Sequence, residues 1–165
     1  MDLEEMQRHL RALTDRAEIT DLLDRFVRSL DEGRFDEAWA RAFYTEDAVA
    51  EMPVGTARGR DAVREAVRGG IGLFDRTVHF GTNPVITLDG DRATARGAQL
   101  STHILPGGAD RLFVSAGHTD TELVRTSEGW RIARSSLRVV WTAGERPVHP
   151  AGGPADVRLA SEGAS

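Results

Sequence analysis

Two residues, Asp31 and His79, combine a reactive side chain with a sequence position that points inward. Asp31 follows Val27 by four residues and Leu23 by eight, so it continues the apolar stripe of a predicted helix. Burial and the negative end of the helix dipole both disfavour a charged carboxylate, so its pKa should rise unless a cationic or hydrogen-bonding partner is present. Such carboxyl groups are common at active sites, although a solvated turn that ends the helix would give the same pattern.

His79 lies in a strand-like segment in which alternate residues share a face. The alternation places His79, Gly81 and Asn83 on one polar side, and Val78 and Phe80 on the other. A histidine on that polar side can exchange a proton near neutral pH, particularly if a carboxylate fixes its tautomer. A histidine at a sheet edge, or one bonded only to backbone, would show the same pattern.

The remaining chemistry-bearing residues are weaker candidates. His103 and His118 are expected at the surface or at the rim of a pocket. The sequence has no His-x-x-x-His or His-x-His pair and no Gly-x-Ser-x-Gly elbow, so neither a metal site nor a hydrolase triad is predicted.

Composition excludes several kinds of chemistry and partner. There is no cysteine and all 21 basic residues are arginine, which removes thiol nucleophiles and lysine imines. The net charge of −5, without a basic stripe, argues against nucleic acid as a partner. The apolar runs are too short for a membrane span and the acidic start lacks signal-peptide features, so no membrane partner and a cytoplasmic location are predicted.

Helices are predicted in the first half of the chain. Apolar residues from Ile19 to Leu30 recur at helical spacing and stop at Gly33, with Leu3 to Ala17 either extending this helix or forming a separate lead-in. A second short helix is predicted over Phe35 to Phe43. A turn at 44–47 then leads into a strand at 48–52, and Asp61 is predicted to cap a third helix that ends at Gly69 and Gly70.

Strands are predicted in the second half. Four strand-length runs are separated by turn-forming residues, and they cover 77–88, 93–105, 112–125 and 130–141. Helices followed by an antiparallel meander predict an α+β domain over residues 1–141, with helices on one face of a curved sheet. Residues 142–165 are rich in Gly, Pro and Ala and are predicted to form a flexible tail.

The order of several short segments resembles the SnoaL-like, NTF2-like superfamily. These segments include Leu30 to Asp36, Phe43 to Ala48, Thr77 to Phe80, and Leu123 to Ile132, and the resemblance spans Arg16 to Trp141. It implies a cone-shaped, curved antiparallel sheet with N-terminal helices on its concave face. It also implies a pocket for a small hydrophobic molecule, no cofactor, and a homodimer or homotrimer formed through the sheet.

Within that superfamily the pattern is most similar to scytalone dehydratase. Asp31 and His79 stand at the positions of its catalytic aspartate and histidine. The tyrosine that precedes the aspartate in that enzyme is Leu30 here, and its second pocket histidine aligns with Ala98. The resemblance therefore implies an Asp–His acid/base pair that lacks the tyrosine and the second histidine of that enzyme.

The resulting hypothesis is a cofactor-independent lyase or isomerase, of dehydratase or polyketide-cyclase type, acting on a small carbonyl-containing organic or polyketide-like substrate. Asp31 and His79 would form the acid/base pair, with substrate contacts from Trp39, Asn83, Leu100 and Thr119, and further apolar wall from Ile86 and Phe113. One alternative is a noncatalytic ligand-binding module. Another is a ketosteroid-isomerase-like enzyme, for which Tyr44 is the sole tyrosine and is predicted to be badly placed.

Overall fold

The computed structural model describes residues 2–53, 55–108 and 110–147, and in this part of the chain it shows three helices and one six-stranded sheet. The helices are α1 (Leu3–Glu32), α2 (Glu37–Phe43) and α3 (Arg60–Ile71). The strands are β1 (Tyr44–Met52), β2 (Gly55–Arg58), β3 (Arg76–Asp89), β4 (Arg92–Ile104), β5 (Leu112–Thr126) and β6 (Gly129–Gly144). The predicted α+β class with a curved sheet is confirmed.

Helix α1 is one continuous helix of 30 residues, so the polar lead-in is its first half. Asp2 caps its start by accepting a hydrogen bond from the Glu5 amide at 2.7 Å. Gly33 ends it with φ of 67°, a left-handed conformation that glycine adopts without a steric penalty. Because the helix stops there, Asp31 lies in its last turn.

Helix α2 contributes to an aromatic core. Trp39 meets Phe35 edge to face, with ring centroids 5.0 Å apart, and its centroid lies 6.2 Å from that of Phe26 and 5.9 Å from that of Tyr44. Its indole N–H donates to Ser29 Oγ at 2.8 Å, so both its apolar body and its polar tip are satisfied inside the core. Trp39 therefore holds α2 against α1.

The segment from the end of α2 to the end of α3 differs from the prediction in four ways. β1 begins at Tyr44 without the predicted turn, and the stretch between β1 and α3 contains β2, a strand that was not predicted and that pairs antiparallel with β1. Helix α3 follows Gly59 and has no side-chain cap, so Asp61 lies in the first turn and does not cap it. The helix also continues through Gly69 and Gly70, because Val63 and Val67 pack into the core and outweigh the low helix propensity of glycine.

The sheet order is β2-β1-β6-β5-β4-β3, and the predicted meander from β3 to β6 is antiparallel throughout. The pairing of β1 with β6 is parallel, so the complete sheet is mixed. β6 continues three residues beyond Trp141 and pairs Gly144 with Phe113. Strand residues thus occupy the first part of the predicted tail, and its remainder from residue 148 onward lies outside the described residues.

The sheet has two distinct faces, and helices α1 and α3 cover only one of them. Along β3 the residues Thr77, His79 and Gly81 point to this inner, concave face. A bulge between Thr82 and Val85 then shifts the alternation, with Asn83 at a positive φ of 44°. The bulge therefore reverses which side chains of β3 face the helices.

Candidate active site

Asp31 and His79, 48 residues apart in sequence, meet where the end of α1 crosses β3. Close packing makes the approach possible, because a Cβ on Gly81 would stand only 2.9 Å from Val27 Cγ2. Asp31 Oδ1 lies 2.7 Å from His79 Nδ1, and its Oδ2 accepts a hydrogen bond from the His79 amide at 3.0 Å. Thr77 Oγ1 donates to Oδ1 at 2.7 Å, so three donors hold the carboxylate.

The pKa of Asp31 is set by two opposing effects. Burial by itself raises it, but the hydrogen bonds from the His79 amide, the His79 ring and the Thr77 hydroxyl lower the pKa below the ordinary aspartate value. The partner that the sequence argument required is thus present. Asp31 is ionised at neutral pH while its side chain keeps 25% of its surface exposed.

The ionised carboxylate fixes the tautomer of His79. A carboxylate can only accept hydrogen bonds, so Nδ1 of the neutral imidazole carries the hydrogen and donates it to Asp31 Oδ1. Nε2 is then left with a free lone pair. The His79 side chain is only 3% exposed and lines a cavity, so this nitrogen is a suitable general base for a bound molecule.

His103 is a cavity residue, and its expected position at the surface or rim is wrong. It is buried, stacks on Phe74 with centroids 4.1 Å apart, and its ring centroid lies 5.3 Å from that of His79. Burial, followed by the nearby charge of His79, lowers its pKa to about 4. Nδ1 donates to the Phe113 carbonyl at 3.2 Å, so neutral His103 keeps Nε2 as an acceptor. One sequence signal could have indicated this position: His103 lies two residues after Ser101 on β4, so the two polar side chains share one face of the strand.

The depressed pKa of His103 predicts an acid-induced loss of stability. An unfolded histidine binds a proton near pH 6.5 and folded His103 near 4, so its contribution is complete above pH 6.5 and is lost as pH falls towards 4. The shift corresponds to about 3 kcal/mol. In urea unfolding across this range, His103→Gln should therefore lose stability less steeply with falling pH than wild type. The matched change His118→Gln, at an exposed histidine, should keep the wild-type slope; equal slopes for all three proteins would contradict the assignment.

A cavity of about 270 Å³ lies between the helices and the inner face of the sheet. The helices supply an apolar wall that includes Leu23, Phe26, Val27, Leu30, Val67 and Ile71. The sheet supplies hydroxyl groups from Ser101, Ser115, Thr119, Thr121 and Ser135. An apolar wall facing a few polar groups and a histidine is typical of a small-molecule site.

The predicted substrate-binding residues divide into one that lines this cavity and three that do not. Thr119 lies on the inner face of β5 and lines it. Leu100 points to the outer face and is 38% exposed, because its neighbours Gln99 and Ser101 take the inward positions. Asn83 is exposed because the β3 bulge turns it away, and Trp39 belongs to the aromatic core.

Of the two further residues predicted for the apolar wall, one lines the cavity and one does not. Phe113 lines the cavity as predicted, whereas Ile86 packs against the hydrophobic core beyond the bulge. Tyr44 also lines the cavity, although it was predicted to be badly placed. Burial raises its pKa above the ordinary tyrosine value, and its hydroxyl is hydrogen-bonded to Ser135. Tyr44 is therefore a neutral polar group in the cavity wall.

The described residues contain neither a metal-binding cluster nor a membrane-spanning helix. No group of three or more histidine, aspartate or glutamate side chains comes together there in a metal-binding arrangement. In the same part of the chain no helix combines the length and apolar character needed to cross a bilayer.

The sequence profile of the SnoaL-like domain matches residues 11–136, which is more than half of the 165-residue chain. This chain belongs to the SnoaL-like family. The predicted membership of the NTF2-like superfamily, next to scytalone-dehydratase-like proteins, is confirmed. The match begins inside α1, so the first turns of that helix precede the segment that defines the family.

Solved structures share the SnoaL-like fold along most of the chain. The Kfla4162 protein of Kribbella flavida is 29% identical, with a TM-score of 0.73 over 80% of this chain and 95% of that one. A candidate scytalone dehydratase of Novosphingobium aromaticivorans DSM 12444 is 24% identical, with a TM-score of 0.73 over 87% and 94%. The hexachlorocyclohexane dehydrochlorinase LinA-type3 of Novosphingobium barchaimii LL02 is 21% identical, with a TM-score of 0.73 over 86% and 97%.

The second histidine of this SnoaL-like cavity does not arise at the position that the sequence resemblance suggested. Ala98 lines the cavity but carries no polar group, whereas His103 lies five residues further along β4 and faces inward. The aspartate's neighbour Leu30 is an apolar wall residue. The cavity therefore contains one aspartate-bonded histidine and one neutral histidine.

Proposed function

We propose that this SnoaL-like protein is a cofactor-independent lyase or isomerase, of dehydratase or polyketide-cyclase type, that acts on a small carbonyl-containing or polyketide-like substrate. The observation that carries the proposal is the 2.7 Å contact between His79 Nδ1 and Asp31 Oδ1 at the wall of an apolar cavity. This pair holds a neutral imidazole whose second nitrogen is free to act as a base at the wall of an apolar cavity.

The first chemical step is proton transfer from carbon to His79. Nε2 takes the proton from the carbon next to the substrate carbonyl, and the electron pair of the broken C–H bond forms an enolate. His79 becomes an imidazolium, which the charge of Asp31 stabilises through the existing hydrogen bond. General-base catalysis of this kind contributes about 10² to 10⁴ in rate.

Hydroxyl groups beside His79 are suited to stabilise the enolate oxygen. Strand register pairs His79 with Ser101 and Ser101 with Ser115, so the three side chains form a row on the inner face. Ser101 Oγ accepts a hydrogen bond from Gln99 Nε2 at 3.0 Å, which leaves its own hydrogen free to be donated. Donors that are already oriented cost little reorganisation when charge develops on the substrate.

The fate of the enolate decides between the two reaction types. In a lyase, the enolate re-forms its carbonyl and expels a β-hydroxyl group, which takes the proton from His79 and leaves as water. In an isomerase, the same proton returns to a different carbon. Two structural neighbours carry the names of a dehydratase and a dehydrochlorinase, both of which denote elimination, and this supports the lyase type.

Two alternative functions would use the same cavity in different ways. A noncatalytic binding module would use the same apolar wall, and it is favoured by Leu30 at the position of the tyrosine in the resembling enzyme. A ketosteroid-isomerase-like enzyme would need Tyr44 as a donor to the substrate, and its presence in the cavity wall favours this candidate. Its hydroxyl, however, already bonds Ser135.

Deuterium exchange and dehydration assays test the proposal directly. A panel of bicyclic ketones, each with a matched β-hydroxy ketone, is incubated with the protein in D₂O. Mass spectrometry follows deuterium at the carbon next to the carbonyl, and ultraviolet absorbance follows the conjugated enone. Exchange or enone formation above the protein-free rate supports the enzyme, whereas binding of the same ketones with neither reaction favours the binding module.

We also propose that two or three copies associate through the outer face of the sheet. Register aligns Phe80, Leu100, Ala116 and Trp141 in one row across four strands, and Phe80 and Trp141 are 55% and 49% exposed. Exposed apolar patches of this kind mark association surfaces.

Light scattering tests this association. Phe80→Glu places a charge at the β3 end of the row, on one of its two most exposed aromatic residues, and should lower the molar mass of the assembly. Thr87→Glu, an exposed residue at the far end of the same strand, should leave the mass unchanged. An unchanged mass for Phe80→Glu would argue against association through this face.

A further inference from the structure

The cavity contains a second group of polar side chains that the proposed reaction does not use. Tyr44, Thr121 and Ser135 all line the cavity, and they are called the hydroxyl cluster below. Tyr44 and Thr121 are only 2% and 7% exposed. Buried hydroxyl groups cost free energy unless they are hydrogen-bonded, so a cluster of them beside an empty apolar space points to a polar group of a ligand.

Strand register brings the hydroxyl cluster together. β5 and β6 pair Thr121 directly with Ser135, so both side chains point to the inner face, with Cβ atoms about 5 Å apart. The Tyr44 hydroxyl reaches this pair from β1 and is hydrogen-bonded to Ser135. The aromatic core holds the Tyr44 ring, whose centroid lies 5.8 Å from that of Phe26 and 5.9 Å from that of Trp39. Three hydroxyl groups from three strands thus form one fixed patch.

The hydroxyl cluster keeps hydrogen-bonding capacity for a ligand. Each hydroxyl group carries one hydrogen and two lone pairs. The bond between Tyr44 and Ser135 uses one hydrogen and one lone pair, so the second hydrogen of this pair can still be donated. Burial raises the pKa of Tyr44, so its hydroxyl stays neutral at physiological pH. The cluster can therefore both donate to a neutral ligand group and accept from it.

The hydroxyl cluster lies far from His79 along the sheet. Register places His79 in one row with Ser101 and Ser115, and Thr121 follows Ser115 by six residues on β5. Six residues of an extended strand span about 20 Å, and the concave curvature of the sheet brings the inward-pointing oxygen atoms closer together than that. A ligand that contacts both groups must therefore be elongated.

The charges around the cavity favour a neutral group at the far end of such a ligand. No arginine is among the described residues that line the cavity, whereas Asp24 and Glu51 do line it. A carboxylate or phosphate at the far end would therefore lack a cationic partner and would meet like charges. A hydroxyl group has no net charge and matches the donors and acceptors of the cluster.

Given the proposed reaction, on which this inference rests, we propose that the hydroxyl cluster binds a hydroxyl group at one end of an elongated, fused-ring ketone whose carbonyl lies beside Ser101 at the other end. The apolar body of the ligand lies against the helix wall that includes Phe26 and Val67. Fused rings suit this position because a rigid ligand loses little conformational entropy when it binds.

Paired ligands test the proposal by calorimetric binding. Estrone, a four-ring ketone with a hydroxyl group at the opposite end, is compared with its analogue that lacks this hydroxyl. In the wild type the hydroxyl should tighten binding about three- to tenfold, the effect of one neutral hydrogen bond. Thr121→Val and Tyr44→Phe keep the shapes of the side chains, and each should reduce this gain. The control Thr94→Val, at an exposed residue on the outer face of β4, should keep it in full.

The possible results separate this proposal from the proposed reaction. Equal affinity of the two ligands for the wild type, binding of neither, or a gain that persists in both variants would overturn the hydroxyl contact. Equal weakening of both ligands in Tyr44→Phe would also overturn it, because the tyrosine would then serve the carbonyl. If the gain responds to the variants but no deuterium enters next to the carbonyl, the hydroxyl contact stands and the proposed reaction fails. In His79→Gln the gain should remain while deuterium exchange is lost.

Discussion

Replacement of His79 by glutamine is expected to lower kcat/KM for an active ketone by about 10² to 10⁴, the usual contribution of a positioned general base. Glutamine retains a polar group of similar reach but cannot take up the substrate proton. Ligand affinity should change little, because the apolar wall comes from other residues such as Val27 and Ile71. Turnover and calorimetric binding to the same ketone measure the two effects separately.

A matched histidine elsewhere on the sheet provides the control. His118 lies on β5 with its side chain exposed on the outer face, so His118→Gln should leave turnover at the wild-type level. Wild-type turnover in His79→Gln would remove His79 from the mechanism. If His79→Gln instead abolishes binding together with turnover, the residue holds the ligand and the binding-module alternative gains support.

Asp31→Asn is expected to cause a loss of similar size, about 10² to 10⁴ in kcat, by a different physical route. The amide NH₂ of asparagine can donate to His79 Nδ1, which moves the imidazole hydrogen to Nε2 and removes the lone pair that accepts the substrate proton. The imidazolium also loses its stabilising negative charge. An equivalent substitution in a serine-protease triad lowers kcat by about 10⁴ through the wrong tautomer.

Glu32→Gln is the matched control for Asp31→Asn. Glu32 neighbours Asp31 at the same helix end, but it pairs with exposed Arg28 and Arg34 and does not contact His79. Its loss should leave kcat unchanged, and equal kcat values for Asp31→Asn and wild type would contradict the pairing. Nitrogen chemical shifts of the His79 ring report the tautomer directly, so the cause of any loss can be checked without a substrate.

Stability should respond to pH through Asp31 in a defined direction. Its folded pKa is lowered relative to the unfolded value of about 3.9, so the ionised form stabilises the fold above that pH. This contribution is lost as pH falls through the folded pKa. The His103 contribution is lost at higher pH, between 6.5 and about 4, so the two groups can be separated in one titration of unfolding free energy.

Tyr44 and His103 show why the contents of the cavity could not be read from the sequence. Both were judged unlikely pocket residues, and both line the cavity. Tyr44 does so because β1 begins directly after α2 and pairs parallel with β6, a contact between segments almost ninety residues apart. His103 does so because the register of β4 against β3 pairs it with Thr77, on the same face as His79. Neither pairing can be read from the local residue pattern, although strand parity does place His103 on the same face of β4 as Ser101.

The β3 bulge shows the same limit within one strand. Strict alternation from His79 predicted Asn83 on the polar face, and it holds as far as Gly81. The irregularity between Thr82 and Val85 then reverses the parity, so Asn83 becomes exposed while Thr82 and Pro84 line the cavity. Bulges depend on how two strands pair and bend, so period-two patterning cannot locate them.

The sequence by itself determined the features that depend on near neighbours in the chain. Helical spacing and Gly33 placed Asp31 in the last inward turn of α1, and alternation placed His79 on the inner side of β3. The tertiary structure alone decided that these two residues touch, that His103 joins them and that Leu100 and Trp39 do not. The reason is physical: periodicity encodes the direction of a side chain from its own element, whereas strand register, bulges and helix docking fix which directions converge.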